Sequence, residues 1–170
     1  RAGKAGDGLM LSRTQPRPAD APKTTLPDLQ HPIIDGYFEH LPREIAPRIV
    51  ASRTLFVADN REEARRYAAV GLKKAAIGLA KGGHRFESDD LDDLIAATDT
   101  HVGTVDDVLE TLHRDTTLPR VTDIVFQVHS VDPPHELVLR SIELIAEKVA
   151  PSLGWSKADK PHSPRLSVVR

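Results

Sequence analysis

The chain contains no cysteine. That absence excludes a disulfide framework, a thiolate nucleophile and any cysteine-ligated zinc or iron–sulfur site, and it fits a reducing, cytoplasmic setting. An excess of charge of one sign is missing too: 23 Lys and Arg stand against 25 Asp and Glu, a formal net charge of −2. With no basic excess to neutralise phosphates, nucleic acid is not an expected partner. No apolar run approaches the roughly 18 residues of a membrane span, and no apolar segment follows the first residues as a signal peptide would require. No membrane partner is expected. Internal repeats at a solenoid period are absent as well. What is there is 170 residues, 39% hydrophobic and 28% charged, a globular composition with enough residues to bury one core. The first residue is Arg1, and residues 1–6 read as the end of a helix, so a piece of a longer protein is expected.

Short apolar runs alternate along the chain with amphipathic stretches. Residues 7–13 form the first strand candidate, with Leu9, Met10 and Leu11 closed off by polar residues. Pro16, Pro18, Pro22 and Pro27 follow too closely for a helix or a central strand and predict a loop. Ile33, Ile34, Tyr37, Phe38 and Leu41 recur at helical spacing until Pro42 stops them. Residues 49–57 are rich in β-branched side chains and predict the second strand. It runs into Asp59-Asn60-Arg61-Glu62, a capping-box variant with Glu62 three residues after Asp59.

The helix over about 60–81 is the clearest element. Ala64, Tyr67, Ala68, Gly71, Leu72, Ala75, Ala76 and Leu79 trace one stripe, and Gly82-Gly83 ends it. Arg65, Arg66, Lys73 and Lys74 lie off the stripe as a solvated face. A polar stretch with Asp89, Asp90, Asp92 and Asp93 precedes an apolar patch at 94–97. Thr104 caps a further helix whose apolar face is Val105, Val108, Leu109 and Leu112. Residues 122–129 form the third strand. Pro133 and Pro134 open a long helix, with Asp132 as its cap and Val138, Ile142, Ile145 and Val149 as its buried stripe. One domain is expected over 1–155 and a flexible tail over 156–170, where Lys, Pro and Ser dominate.

Strands that alternate with amphipathic helices argue for an α/β fold of parallel βαβ units. Periodicity leaves open whether the sheet is open or part of a barrel. In a parallel sheet both faces are covered, so polar residues within a strand need a reason. In the third strand, Ile124, Phe126 and Val128 point one way, while Asp123, Val125, Gln127 and His129 point the other. In the second, Ser52 and Thr54 lie between Val50 and Phe56. The first turns polar at Ser12-Arg13-Thr14-Gln15. All three strands become polar on one face or at the carboxyl end, where α/β folds place their sites. Capping and buried hydrogen bonds explain any one of these residues, but three strands together point to a pocket.

Other constellations are weaker. His129-Ser130 with Asp132, His135 and Glu136 could suggest a hydrolase triad or a metal site, yet no Gly-x-Ser-x-Gly elbow accompanies them. The acidic cluster at 89–93, with His84 and Glu87, lacks the order of a calcium loop and reads as solvated. Gly3, Gly6 and Gly8 follow no strand and make no dinucleotide fingerprint.

Leu55-Phe56-Val57-Ala58-Asp59-Asn60-Arg61-Glu62-Glu63-Ala64 resembles the strand-to-helix step of the bacterial luciferase-like, flavin-dependent monooxygenases. His101-Val102-Gly103-Thr104-Val105-Asp106-Asp107-Val108 is similar to the step before that family's final strand, and residues 123–153 to its last strand and helix. Residues 12–18, Ser52-Arg53-Thr54, residues 127–130 and residues 132–136 resemble an FMN-dependent subgroup. The likeness runs over roughly 1–155.

The resemblance implies a (β/α)8 barrel, about 250 residues or more in full, of which this chain would supply strands six to eight. It implies a monooxygenase that holds reduced FMN at the carboxyl end of the barrel and uses O2 to oxidise a small organic substrate. The alternative cofactor is deazaflavin F420. A flavin reductase would be a partner, and the full-length form a homodimer. Ser12, Arg13, Ser52, Thr54 and Gln127 would line the cofactor or substrate pocket, with Arg13 facing an anionic flavin or substrate. His129 would act as a proton donor.

Much of the family's flavin phosphate site lies before residue 1, and Ser52 and Thr54 stand where alkanesulfonate-oxidising relatives carry an Arg and a His. Residues 83–103 correspond to the family's mobile loop over the site. Two other readings are a non-catalytic flavin-binding or structural barrel remnant, and an unrelated α/β hydrolase that works without flavin. Three barrel strands alone would leave two unpaired edges, so the isolated chain is expected to be marginally stable, to aggregate or to need the missing half.

Overall fold

The computed structural model describes residues 1–155, so the expected tail over 156–170 lies outside the described residues. A one-turn helix α1 (Ala2–Ala5) leads through Gly6 into strand β1 (Leu9–Leu11), which is shorter than the 7–13 expected. Helix α2 (Leu26–His40) starts earlier than its apolar spacing suggested. Thr25 caps it in a reciprocal capping box with Asp28, and Pro27 sits in the first turn, where a missing N–H is harmless. Pro27 therefore belongs to the helix and not to the loop.

Strand β2 (Ile49–Val57) matches its expected bounds. Helix α3 (Arg61–Lys81) follows, but its cap is Asn60, whose Oδ1 accepts the Glu63 N–H at 3.0 Å. Asp59 is instead held by Arg140. Next come α4 (Leu91–Ala97), capped by Asp90, and strand β3 (Thr100–Gly103). This strand was not expected, because four residues are too few to show an alternation. Helix α5 (Val105–His113), capped by Thr104 and Asp107, leads to a 3₁₀ turn (Leu118–Arg120) and strand β4 (Asp123–Gln127).

Helix α6 (His135–Leu144) passes through a π-helical turn (Ile145–Val149) into α7 (Ala150–Ser152). Its N-cap is Pro134, whereas Asp132 takes a positive φ and pairs with Lys74. The wide turn shifts the helix face only from Ile145 onward, carrying Val149 inward. Ser141, Leu144 and Val149 are buried and Ile142 is exposed, which corrects the expected stripe.

All pairings are parallel. Strand β2 is the hub: Val50 pairs with both Met10 and Asp123, so β1 and β4 lie on its opposite edges. Thr54 pairs with both Gln127 and Thr100, so β3 lies on the edge opposite β4. Strands β1 and β3 thus share one edge of β2 end to end, with a gap at Ser52 and Arg53.

The two faces differ. Leu11, Ile49, Ala51, Leu55 and Val57 point to one face and pack with Ile34 and Tyr37 of α2, Val108 and Leu112 of α5, and Leu144 and Val149. On the other face, Met10 is 69% exposed and Val125 49% exposed. Only its carboxyl end is roofed: Phe56 packs with Ala64, Ala68 and Leu72 of α3, Leu94 of α4, and Val131. A Cβ on Gly71 would lie 2.2 Å from the Val131 carbonyl, so only glycine permits this approach. Helix α3 therefore does not pack outside the sheet with the other helices. It covers the far end of the open face. The anchoring of α4 and β3 also means that the segment 83–103 is fixed over its second half.

Candidate functional site

Thr54 stands on the open face of β2, one alternation from Ser52 below and Phe56 above. Its register partners are Gln127 on one edge and Thr100 on the other. Strand β1 ends at Leu11, and the turn that follows swings Arg13 over β2, where its Nη1 donates to Thr54 Oγ1 at 2.9 Å. Gln127 Nε2 lies 3.0 Å from His129 Nε2. A side-chain amide nitrogen only donates, so His129 Nε2 accepts and the imidazole proton rests on Nδ1. Arg13, Thr54, Gln127 and His129 thus form one run across the carboxyl end of the open face. Ser52 lies lower on the same face, opposite Val125. Ser12 is not brought into the run: its hydroxyl is exposed and bonds Thr14 within its own turn.

Arg13 is electrostatically unusual. Every other partly or fully buried arginine among the described residues has a carboxylate partner: Arg17 with Asp99, Arg53 with Asp115, Arg65 with Asp92, Arg120 with Asp35 and Arg140 with Asp59. Arg13 has a hydroxyl alone. Burial without a counter-charge pushes its guanidinium below the ordinary value.

Behind the run, on the helix-packed face, lies a network the sequence reading did not nominate. Arg53 is fully buried. Its Nε donates to Asp115 Oδ2 at 2.5 Å, its Nη1 to the Ser52 carbonyl at 2.8 Å, and its Nη2 to Gln30 Oε1 at 2.8 Å and to Thr117 Oγ1. Gln30, also fully buried, spends its Nε2 on the Ser12 carbonyl and Gln15 Oε1, both at 3.0 Å. The signal in the sequence was Arg53 itself, a charged residue in the middle of a strand that a parallel sheet covers on both faces.

His101, on β3, is buried nearby. The Thr111 hydroxyl donates to the Val108 carbonyl, so it accepts from His101 Nδ1 at 2.9 Å, and Nε2 is left buried without a partner. Desolvation holds this imidazole neutral, with its pKa lowered to about 4.

The weaker constellations do not assemble. His129 bonds Gln127, Asp132 bonds Lys74, and Ser130 Oγ is buried with no partner, so no Ser–His–acid relay exists there. Among the described residues no three His, Asp or Glu side chains could share a metal ion. The acidic cluster is spent locally, with Asp89 on Lys73, Asp92 on Arg65 and Asp90 as a cap. A cleft of about 360 Å3 lies elsewhere, between the loop carrying Arg17 and Lys23 and the segment carrying Phe86 and Asp99. Its charges largely pair among themselves, Arg17 with Asp99 and Lys23 with Glu87. The uncompensated Arg13 makes the open face the stronger candidate.

No protein-family model and no curated protein matches the chain. Among solved structures, the chain is similar to the monooxygenase RslO1 from Streptomyces bottropensis, with a TM-score of 0.60 and 25% identity over 89% of this chain and 44% of that one. It has a monooxygenase-like fold. Apo-MsnO8 is similar in fold as well, with a TM-score of 0.55 and 18% identity over 91% of this chain and 47% of that one. The chain thus spans less than half the length of these two structures. No helix among the described residues is long and apolar enough to cross a membrane.

Proposed function

We propose that residues 1–155 are the strand-six-to-eight portion of a (β/α)8 barrel in a luciferase-like, FMN-dependent monooxygenase. The open face of β1, β2 and β4 would line the barrel interior. The observation that carries this reading is Arg13, a half-buried guanidinium with no acid partner among the described residues, at the carboxyl end of a parallel sheet, where α/β folds bind their ligands. The likeness to the monooxygenase RslO1 supports the reaction class.

An uncompensated cation fits an anionic flavin or an anionic substrate. Bound there, reduced flavin would supply the oxygen chemistry. The chain's own residues would do the rest. Thr54 would orient Arg13, Gln127 would present a hydrogen bond from the neighbouring strand, and His129, bonded to Gln127, would hold a proton at Nδ1 at the end of the run. The roof of α3 and α4 over Phe56 limits water at the carboxyl end.

FMN fluorescence titration tests the reading on two proteins, this chain and a version extended upstream through five further βα units. Binding by the extended protein, lost on Arg13→Gln, is expected. If the extended protein does not bind FMN, the reaction assignment fails.

A further inference from the structure

We infer that Gln30 is a positioning residue for the candidate site, holding the Ser12–Arg13 turn in place from the opposite face of the sheet. The inference rests on reading the open face as the site. It starts from the gap in the sheet. Strand β1 pairs with β2 only through Ala51, and β3 begins only at Thr54. Between them the Ser52 carbonyl of the hub is left without a strand partner on that edge, and the Ser12 carbonyl lies one residue past the last pairing of β1. Buried carbonyls must find donors. Arg53 Nη1 takes the Ser52 carbonyl and Gln30 Nε2 takes the Ser12 carbonyl.

The two donors are themselves linked, Gln30 Oε1 accepting from Arg53 Nη2 and Arg53 Nε donating to Asp115. The point at which β1 peels away from the sheet is therefore set by one chain of bonds, Asp115–Arg53–Gln30–Ser12. Gln30 also holds the Gln15 amide, so both ends of the four-residue turn that carries Arg13 are tied to one side chain. Arg13 itself is fixed on the open side by a single bond to Thr54. Without Gln30 the turn keeps its covalent ends but loses both of its ties to the packed face.

The variants Gln30→Glu and Gln30→Met separate this role from bulk stability. An ionised glutamate still accepts from Arg53 but offers no donor to the Ser12 carbonyl, whereas methionine fills the volume and makes neither bond. Amide hydrogen exchange should rise about fivefold to tenfold over residues 12–17 in Gln30→Glu, the order expected for losing one or two buried hydrogen bonds. Exchange in β2 and α5 should stay at the wild-type rate. Gln30→Met should loosen the same turn and lower the melting temperature as well. In a protein that binds FMN, Gln30→Glu should also weaken that affinity by a similar factor. Unchanged exchange over 12–17 in both variants overturns the inference, as does acceleration spread evenly over the chain. The exchange readout needs no flavin. Failure of FMN to bind the wild type would count against the functional reading, while exchange decides the role of Gln30.

Discussion

Arg53 and Arg13 lie on opposite faces of one sheet, the first from within a strand and the second from the turn after β1, and meet different surroundings. On the packed face, Arg53 is sealed from water with a carboxylate, two side-chain oxygens and a backbone carbonyl around it. On the open face, Arg13 is half-buried against one threonine hydroxyl. A charge that folding has fully compensated has no capacity left for a ligand. A charge desolvated without a counter-ion costs stability unless something else supplies the negative partner. The difference separates an arginine that holds the fold together from one available to bind.

The largest expected effect breaks the first member of the pair. Arg53→Met leaves Asp115 buried without its cation and releases Gln30 and the Ser52 carbonyl, so it should cost about 3–5 kcal/mol in urea unfolding. Arg13→Met should change stability by less than about 1 kcal/mol, and in either direction, because it removes a charge that had no partner. Equal losses for the two would erase the distinction. Gly71→Ala attacks the roof of the open face: the new methyl meets the Val131 backbone, and the overpacking should cost about 1–3 kcal/mol. That loss should appear in the melt despite alanine's better helix propensity.

A smaller effect sharpens the picture of the packed face. The unfolded chain takes up a proton on its histidines near pH 6.5, whereas folded His101, facing Thr111, Asp115 and Arg53, stays neutral down to about 4. Its contribution to stability is therefore complete above about pH 6.5 and is lost as pH falls from there towards 4. His101→Gln should show a smaller drop in urea midpoint between pH 7 and pH 5 than the wild type; an identical drop would contradict a buried neutral imidazole. The smallest effect belongs to the surface pair of Lys74 and Asp132. Lys74→Met should leave the urea midpoint at the wild-type value, since exposed pairs contribute little.

Much of the fold was legible because its signals are local. Strand β2, the α3 stripe and the Thr104 cap follow from β-branched content, periodicity and capping chemistry. The failures are non-local. Strand β3 exists because β2 offers it a free edge, which nothing in Thr100-His101-Val102-Gly103 announces. Asn60 caps α3 in place of Asp59 because Arg140, 81 residues away, claims the aspartate. The α3 stripe showed that one side is buried but not which face of the sheet it covers. For the site, alternation placed Ser52, Thr54 and Gln127 on one face, yet the Arg13–Thr54 contact needs the turn after β1. Gln30 was invisible, being one polar residue in a helix whose partner lies in another strand.

The most direct test of the open face as the binding site is a hydrogen-exchange difference map of the flavin-binding protein with and without FMN. Protection over residues 12–14, 52–54 and 127–130, with the cleft between residues 17–25 and 85–99 unchanged, is the expected result. Protection confined to that cleft would contradict the assignment of Arg13 and its neighbours.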